Sequence, residues 1–348
     1  MSSGYRTVPP LPTLVCPPSI STRDLLERMN RSPYRFQVLT DTNGRLLGAV
    51  TDGDVRRALL AGNSLDTPVL SCINRNPVTG MLGQDAENAA LAARLGFVPV
   101  VDHEGVLVHL LLRTEEPRLA QALIMAGGFG KRLGERTQSK PKPMLPVGDK
   151  PMIEHVLRRV EAANVERIWI SVHYLGEQIV EYIQQRENIC PIDFLWEDEP
   201  LGTAGVLSRL NQIDVPLLVI NADVVTNTDL LALKSFHVRQ GHDGTVAVAR
   251  YEVDVPFGVI RHDDHGVFRC IEEKPKLNFF VAAGIYYLAP EIVALVPPGR
   301  RTDMPELLTM AHDIGLKVGI FPLHEYWLDV GRPHDLQTAN RDHGGAAP

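Results

Sequence analysis

A glycine-rich run leaves a short apolar stretch near the middle of the chain. Ala122–Met125 is followed by Ala126-Gly-Gly-Phe-Gly-Lys-Arg-Leu-Gly134 and then by Ser139-Lys-Pro-Lys-Pro-Met-Leu-Pro146. Apolar residues that end in such a turn read as a buried parallel strand. Glycines there let backbone N–H groups approach a polyphosphate with no Cβ in the way. Two common phosphate loops are excluded by counting. A Walker loop needs Gly-x-x-x-x-Gly-Lys-Ser/Thr, but Arg132 follows Gly130-Lys131 and position 125 is Met. A dinucleotide fingerprint needs a third glycine where Leu133 stands. What remains is a glycine loop with an arginine inside it and a lysine, Lys142, between Pro141 and Pro143.

Apolar strands alternate with amphipathic helices from Gln121 onward. Strands are expected at Ala122–Met125, Arg167–Val172, Asp193–Trp196, Leu217–Asn221 and Thr245–Arg250. Helices are expected at Met152–Ala163, Leu175–Gln185, Thr203–Leu210 and Asp229–Gln240. That alternation predicts an α/β fold, a mostly parallel, Rossmann-like sheet covered on both faces, with ligands at the C-terminal strand ends. The string from Ala126 to Pro146 resembles the signature of the sugar-phosphate nucleotidyltransferases, also called nucleotide-sugar pyrophosphorylases, and the resemblance covers nearly all of residues 121–341. It implies a GT-A-like catalytic domain that joins an NTP to a sugar 1-phosphate and releases pyrophosphate.

The charged, proline-containing stretch Arg113–Arg118 separates an N-terminal region from that domain. There, Thr22–Asn30 and Asp54–Ala61 read as helices, and Tyr34–Leu39 and Arg45–Val50 as strands. A degenerate echo follows: Asp85–Leu95 helical, Phe97–Val101 extended and Gly105–Leu112 closing it. Gly44–Ala58 looks like the end of a CBS repeat, so residues 1–116 resemble a tandem CBS module preceding a transferase domain at 120–342. Such modules often bind adenine nucleotides. Thr51 and Asp54 match the ribose-holding pair of the repeat, whereas the second repeat offers Leu112 and Glu115 in those places. The apolar faces Leu25, Leu26, Met29 and Leu59, Leu60 could serve an internal core or a homodimer contact through this module.

Nucleotidyl transfer needs cradled phosphates, a divalent metal and in-line alignment. Gly127, Gly128 and Gly130, after Ala126, supply backbone donors; Arg132 and Lys142 supply positive charge to the triphosphate, which they flank in relatives. Lys131 reads as a solvent-facing loop residue. Pro200-Leu-Gly-Thr-Ala-Gly205 resembles the segment lining the nucleobase pocket, pointing to Gly202 and Thr203; taken alone, it is a helix start with Thr203 as N-cap. The buried run Leu218–Asp223 delivers a carboxylate to a strand end, expensive unless it meets a cation. By resemblance, Asp223 and Asp329, the latter within Tyr326–Arg332, ligate Mg²⁺, whose preference for hard oxygen ligands they suit. Resemblance also gives Glu273 to the sugar hydroxyls, Lys274 to the sugar 1-phosphate, and Gly284 to a close approach of backbone to the sugar.

Composition narrows the alternatives. A net charge of −7 leaves no footprint for nucleic acid or an anionic membrane. Cys16, Cys72, Cys190 and Cys270 lie too far apart for a C-x-x-C zinc motif, and suit a reducing cytoplasm. No apolar run approaches the roughly 18 residues that span a bilayer, and Met1–Pro18 shows no secretion signal. The combination with CBS repeats resembles a branch of guanylyltransferases acting on glucosamine, mannose or heptose 1-phosphates, which makes GTP the expected donor. The Glu197-Asp-Glu199 turn offers carboxylates that could accept from guanine. Two other readings stand beside this one: a UTP- or CTP-using transferase, with a sugar phosphate or phosphocholine as acceptor, and a catalytically silent CBS-based nucleotide sensor.

Overall fold

The computed structural model describes residues 5–32, 34–114, 118–210 and 213–344. The chain divides into two compact units, Met1–Pro117 and Arg118–Pro348.

The first unit contains two small sheets. Val15–Cys16, Phe36–Thr40 and Leu46–Thr51 form one; Tyr5–Val8, Leu107–Arg113, Phe97–Val101 and Gly80–Met81 form the other. The helix Thr22–Asn30 starts where Ser21 and Asp24 close a capping box. Its apolar face, Leu25, Leu26 and Met29, packs on Cys16, Leu39, Val50 and Val55. Those three side chains are thus spent on the internal core, while Leu59 only packs at its edge. The second helix starts at Asp52, two residues before the expected Asp54, because Thr51 caps it. Phe36 and Phe97, stacked 3.8 Å apart, join the two halves. Glu115 lies outside the described residues.

In the second unit a seven-stranded sheet runs in the order Ile192–Trp196, Arg167–Val172, Gln121–Met125, Leu217–Asn221, Lys276–Leu288, Gly244–Asp254, Val318–Pro322. The first four strands are mutually parallel; Lys276–Leu288 is antiparallel to both of its neighbours. Side chains alternate across a strand, so each strand feeds two cores. Ala122, Ile124, Ile168, Ile170, Leu218 and Ile220 meet Ile153, Val156, Leu157 and Val160 of the helix Met152–Glu161 on one face. Leu123, Trp169, Leu217 and Val219 meet Ala204, Val206, Ile292 and Leu307 on the other. Burial on both faces explains why these strands read as continuous apolar runs.

Two elements differ from expectation. The segment expected as a helix from Thr203 is a short turn, Gly202–Gly205, tightening into a 3₁₀ turn, Val206–Arg209. Gly244–Asp254 runs four residues past Arg250, and with Lys276–Leu288 it forms an arm whose outer residues, among them Tyr251, Phe279 and Phe280, are exposed.

The helix Leu230–Gln240 carries His237 into the core, where its Nδ1 lies 2.9 Å from Thr245 Oγ1 and its ring meets Tyr287 edge-on. Burial first, and His242 second, push its pKa down to about 4. The unfolded chain, titrating near 6.5, then binds a proton that the folded state refuses. Stability contributed by neutral His237 is complete above pH 6.5 and falls as pH drops toward 4. His237→Gln is expected to flatten the pH dependence of Tm across that window, and an unchanged slope would contradict it.

Candidate active site

Parallel strands bring their C-terminal ends to one edge of the sheet, and a cavity of about 270 Å³ opens there. Ala126, Gly127 and Gly128 line it from the loop after Gln121–Met125, and Asp223 from the end of Leu217–Asn221. Lys142, Gly202 and Thr203 line it as well. A Cβ on Gly127 would come within 2.8 Å of Glu197 Oε1, so a side chain there would displace that carboxylate.

Gly130 has a positioning part. Its φ is +65°, and a Cβ there would meet Lys142 Cβ and Thr137 Cγ2 at 2.9 Å. The absent side chain lets Lys142 pack under the loop, and its ammonium reaches Asp223 Oδ2 at 2.5 Å. Asp329 arrives from another direction. It lies on Trp327–Asp329, whose register with Val224–Thr226 sets Asp329 opposite Val224. Val330 N–H donates to the Asp223 carbonyl at 3.1 Å. Burial, reinforced by the Asp223 charge and opposed by Lys142 and Arg132, raises the Asp329 pKa. Oδ1 of each aspartate is buried without a hydrogen-bond partner. Arg132 is exposed, its guanidinium 3.3–3.5 Å from where a Gly331 Cβ would stand. Two carboxylates and two cations therefore converge beside the glycine loop. Two orphaned hard oxygens suit a divalent cation completed by phosphate oxygens and water. Among the described residues, no three His, Cys, Asp or Glu side chains form a ready metal cluster.

Most of the remaining expected residues lie outside the cavity lining. Glu273 and Lys274 are exposed between Phe268–Glu272 and Lys276–Leu288, outside the cavity lining, with Lys274 in the left-handed region at φ +45°. Gly284 does not line the cavity either. Its missing Cβ leaves room for Asn221 Nδ2 and Val224 Cγ2. Thr203 is not the N-cap of its own turn, which begins at Gly202; its Oγ1 accepts from Met304 N–H at 2.8 Å, capping the helix Met304–Asp313 instead. Thr51 and Asp54 bond one another, at 2.6 Å between Oγ1 and Oδ2, and Asp54 also pairs with Arg57. Lys131 is exposed, 5.2 Å from the centre of the Phe129 ring.

Of the Glu197-Asp-Glu199 turn only Glu197 is buried, and it lines the cavity. Asp198 pairs with Arg209 at the surface and Glu199 is exposed. Glu197 Oε2 accepts from Leu201 N–H at 3.0 Å, and burial raises its pKa despite that bond. Phe129, inside the glycine run, and Asn221, inside Leu218–Asp223, also line the cavity, as do Ser171, Arg301 and Asp303, which belong to no expected motif. Phe129 is braced by His173 and Tyr174, with ring centres 5.3 and 5.4 Å away.

Residues 121–344 match the nucleotidyl transferase family. The chain belongs to that family. Residues 7–61 match the CBS domain. A mannose-1-phosphate guanyltransferase of Schizosaccharomyces pombe is 35% identical over 228 residues, covering 63% of this chain and 62% of that protein. The mannose-1-phosphate guanylyltransferase catalytic subunit beta of Drosophila melanogaster is 29% identical, covering 63% and 61%. The chain thus spans about 62% of the length of the curated relatives it matches. Among solved structures, HddC from Yersinia pseudotuberculosis is 25% identical with a TM-score of 0.51, covering 64% of this chain and 99% of that one. The same protein has also been solved complexed with GMP-PN. No helix among the described residues is long and apolar enough to cross a membrane.

Proposed function

We propose that this chain is a guanylyltransferase: GTP and a sugar 1-phosphate, of a mannose, heptose or amino sugar, become a GDP-sugar and pyrophosphate. The observation that carries this reading is the convergence of Lys142, Asp223 and Asp329 beside the glycine loop. A silent sensor has no need of such costly charges, one buried and two half-buried. Guanine is favoured over uracil and cytosine by the names of the relatives and by the neighbour complexed with GMP-PN.

A phosphate oxygen of the sugar 1-phosphate, already ionised near neutral pH, attacks the α-phosphorus while the α–β bond breaks and pyrophosphate leaves. No protein base is required. Backbone N–H groups of Gly127, Gly128 and Gly130 hold the phosphates, and Lys142 and Arg132 neutralise charge that grows toward the leaving group. Asp223 and Asp329 would hold Mg²⁺, which when bound supplies further neutralisation of the triphosphate. The Glu197 carboxylate accepts from guanine N1–H and the N2 amino group. Glu273 and Lys274 serve the sugar and its phosphate from the exposed arm, with Gly284 in the strand behind them.

Kinetics of two lysine variants test this division. Lys142→Ala is expected to depress mainly kcat, by about a hundredfold, and Lys274→Ala to raise mainly the KM for sugar phosphate. The opposite pattern would mean that the two phosphate sites are exchanged.

The regulatory half of the reading is a tandem CBS module at 1–116 preceding the transferase domain at 120–342. It would bind an adenine nucleotide at Thr51 and Asp54 and join two copies of the chain. The ribose would exchange its hydroxyls for the bonds these two side chains now make to each other and to Arg57. Calorimetry of the full chain with AMP is expected to give a heat that Asp54→Ala abolishes; no heat in the wild type would leave the module a structural role. A reducing cytoplasm suits the four free cysteines.

A further inference from the structure

The cavity holds one cation for which the proposed reaction has no use. Arg301 lines it, its side chain 73% exposed, with Asp303 Oδ2 3.6 Å away. Its backbone is fixed, however. Thr302 N–H donates to the Leu201 carbonyl at 2.8 Å, and Ala204 and Gly205 N–H both donate to the Thr302 carbonyl, at 2.9 and 3.0 Å. Thr203 N–H donates to Asp303 Oδ1 at 3.0 Å, and Met304 N–H to Thr203 Oγ1. Only glycine permits this contact: a Cβ on Gly202, at φ +81°, would stand 2.6 Å from the Thr302 carbonyl oxygen, and one on Gly205 3.0 Å from that of Arg300. Arg301 is therefore anchored to the Gly202–Thr203 end of the cavity, on a segment about 100 residues away in sequence.

The phosphates already have Lys142, Arg132 and the glycine loop. What a guanidinium fork matches at the other end is a pair of adjacent acceptors in one plane. Guanine presents such a pair in O6 and N7, while adenine sets a donor beside N7 and the pyrimidines have no N7. We propose that Arg301 reads the O6/N7 edge of guanine, with Asp303 as the positioning residue that orients its guanidinium, complementing Glu197 on the N1–H/N2 edge. This rests on the guanylyltransferase reading above.

The test is kcat/KM of the full chain with Mg²⁺ for wild type, Arg301→Ala and Arg301→Lys on five donors: GTP, 7-deaza-GTP, in which C–H replaces N7, ITP, which lacks the N2 amino group, UTP and CTP. Wild type is expected to favour GTP over 7-deaza-GTP about tenfold. Arg301→Ala should lose about tenfold on GTP and no longer distinguish the two, with Arg301→Lys in between. The ITP penalty should persist in Arg301→Ala, because it belongs to Glu197. Since the side chain is largely exposed, the variant should melt with the wild type. A GTP to 7-deaza-GTP ratio unchanged by Arg301→Ala would overturn the assignment while leaving GTP as the donor. Turnover of UTP or CTP with GTP inert would instead remove the guanine reading, and this one with it.

Discussion

Asp223→Asn is expected to lower kcat on the order of a thousandfold with the fold intact. Asparagine keeps the volume of the side chain and its capacity to accept a hydrogen bond, so nothing in the core is disturbed. What disappears is the negative charge that faces Asp329 and holds Lys142 at 2.5 Å. Without it the pair of orphaned oxygens no longer attracts a divalent cation, and Lys142 loses the partner that aims it. The loss should therefore appear in binding as well as in turnover. Mg²⁺ and GTP together should raise the Tm of the wild type through linkage, and should raise that of Asp223→Asn far less. Near-wild-type pyrophosphate release by the variant at limiting Mg²⁺ would remove Asp223 from the mechanism.

The largest effect on stability is expected at a site far from the chemistry. Arg186 lies between two carboxylates of the helix Met152–Glu161, with Nη1 and Nη2 at 2.7 and 2.9 Å from Glu161 and Nε at 3.1 Å from Glu154. Both glutamate side chains are almost wholly buried, at 6% and 4% exposure. Glu154 also accepts from Arg158 and from the Tyr182 hydroxyl; burial alone would raise its pKa, but Arg158, Arg186 and that hydroxyl hold it down. Arg186→Ala leaves buried carboxylates short of a counter-charge, which costs about 3 kcal/mol. The sign with pH follows. In the wild type the depressed Glu154 pKa contributes stability above the ordinary carboxylate range, lost as pH falls through the lowered value. In Arg186→Ala that contribution is reduced to what Arg158 and the Tyr182 hydroxyl still supply, so the gap between the two proteins should be widest near pH 7 and shrink toward pH 4. Urea unfolding at both pH values measures it; a gap independent of pH would show that lost packing, not charge, is responsible.

Much of the second unit was legible because its signals are local. A strand buried on both faces must be apolar, as 217–220 is, and a helix packed on it must show its stripe, as Ile153, Val156, Leu157 and Val160 do. The glycine loop was legible because Gly130, at φ +65°, is a site where a Cβ has no room, and one on Gly127 would push Glu197 aside. Other parts were hidden because their meaning depends on a distant partner. Thr203 looks like the cap of its own helix, yet it caps Met304–Asp313, about 100 residues on. That Asn221 and Val224 occupy the space a Gly284 Cβ would take shows only in the fold. Sequence offers three acidic residues in the Glu197-Asp-Glu199 turn, and only burial separates Glu197 from the other two. Arg301 carries no motif; the hydrogen bonds of Thr302 and Asp303 bring it to the cavity.

One competition measures the central claim most directly. The full chain is incubated with Mg²⁺, equimolar GTP, ATP, UTP and CTP, and in turn mannose, heptose or glucosamine 1-phosphate, and the products are weighed by mass spectrometry while pyrophosphate is counted. The expected result is a GDP-sugar with at least one of the three acceptors, one pyrophosphate per product, and no product from Asp223→Asn. A UDP- or CDP-sugar as the main product, or nucleotide consumed with no sugar nucleotide formed, would contradict it.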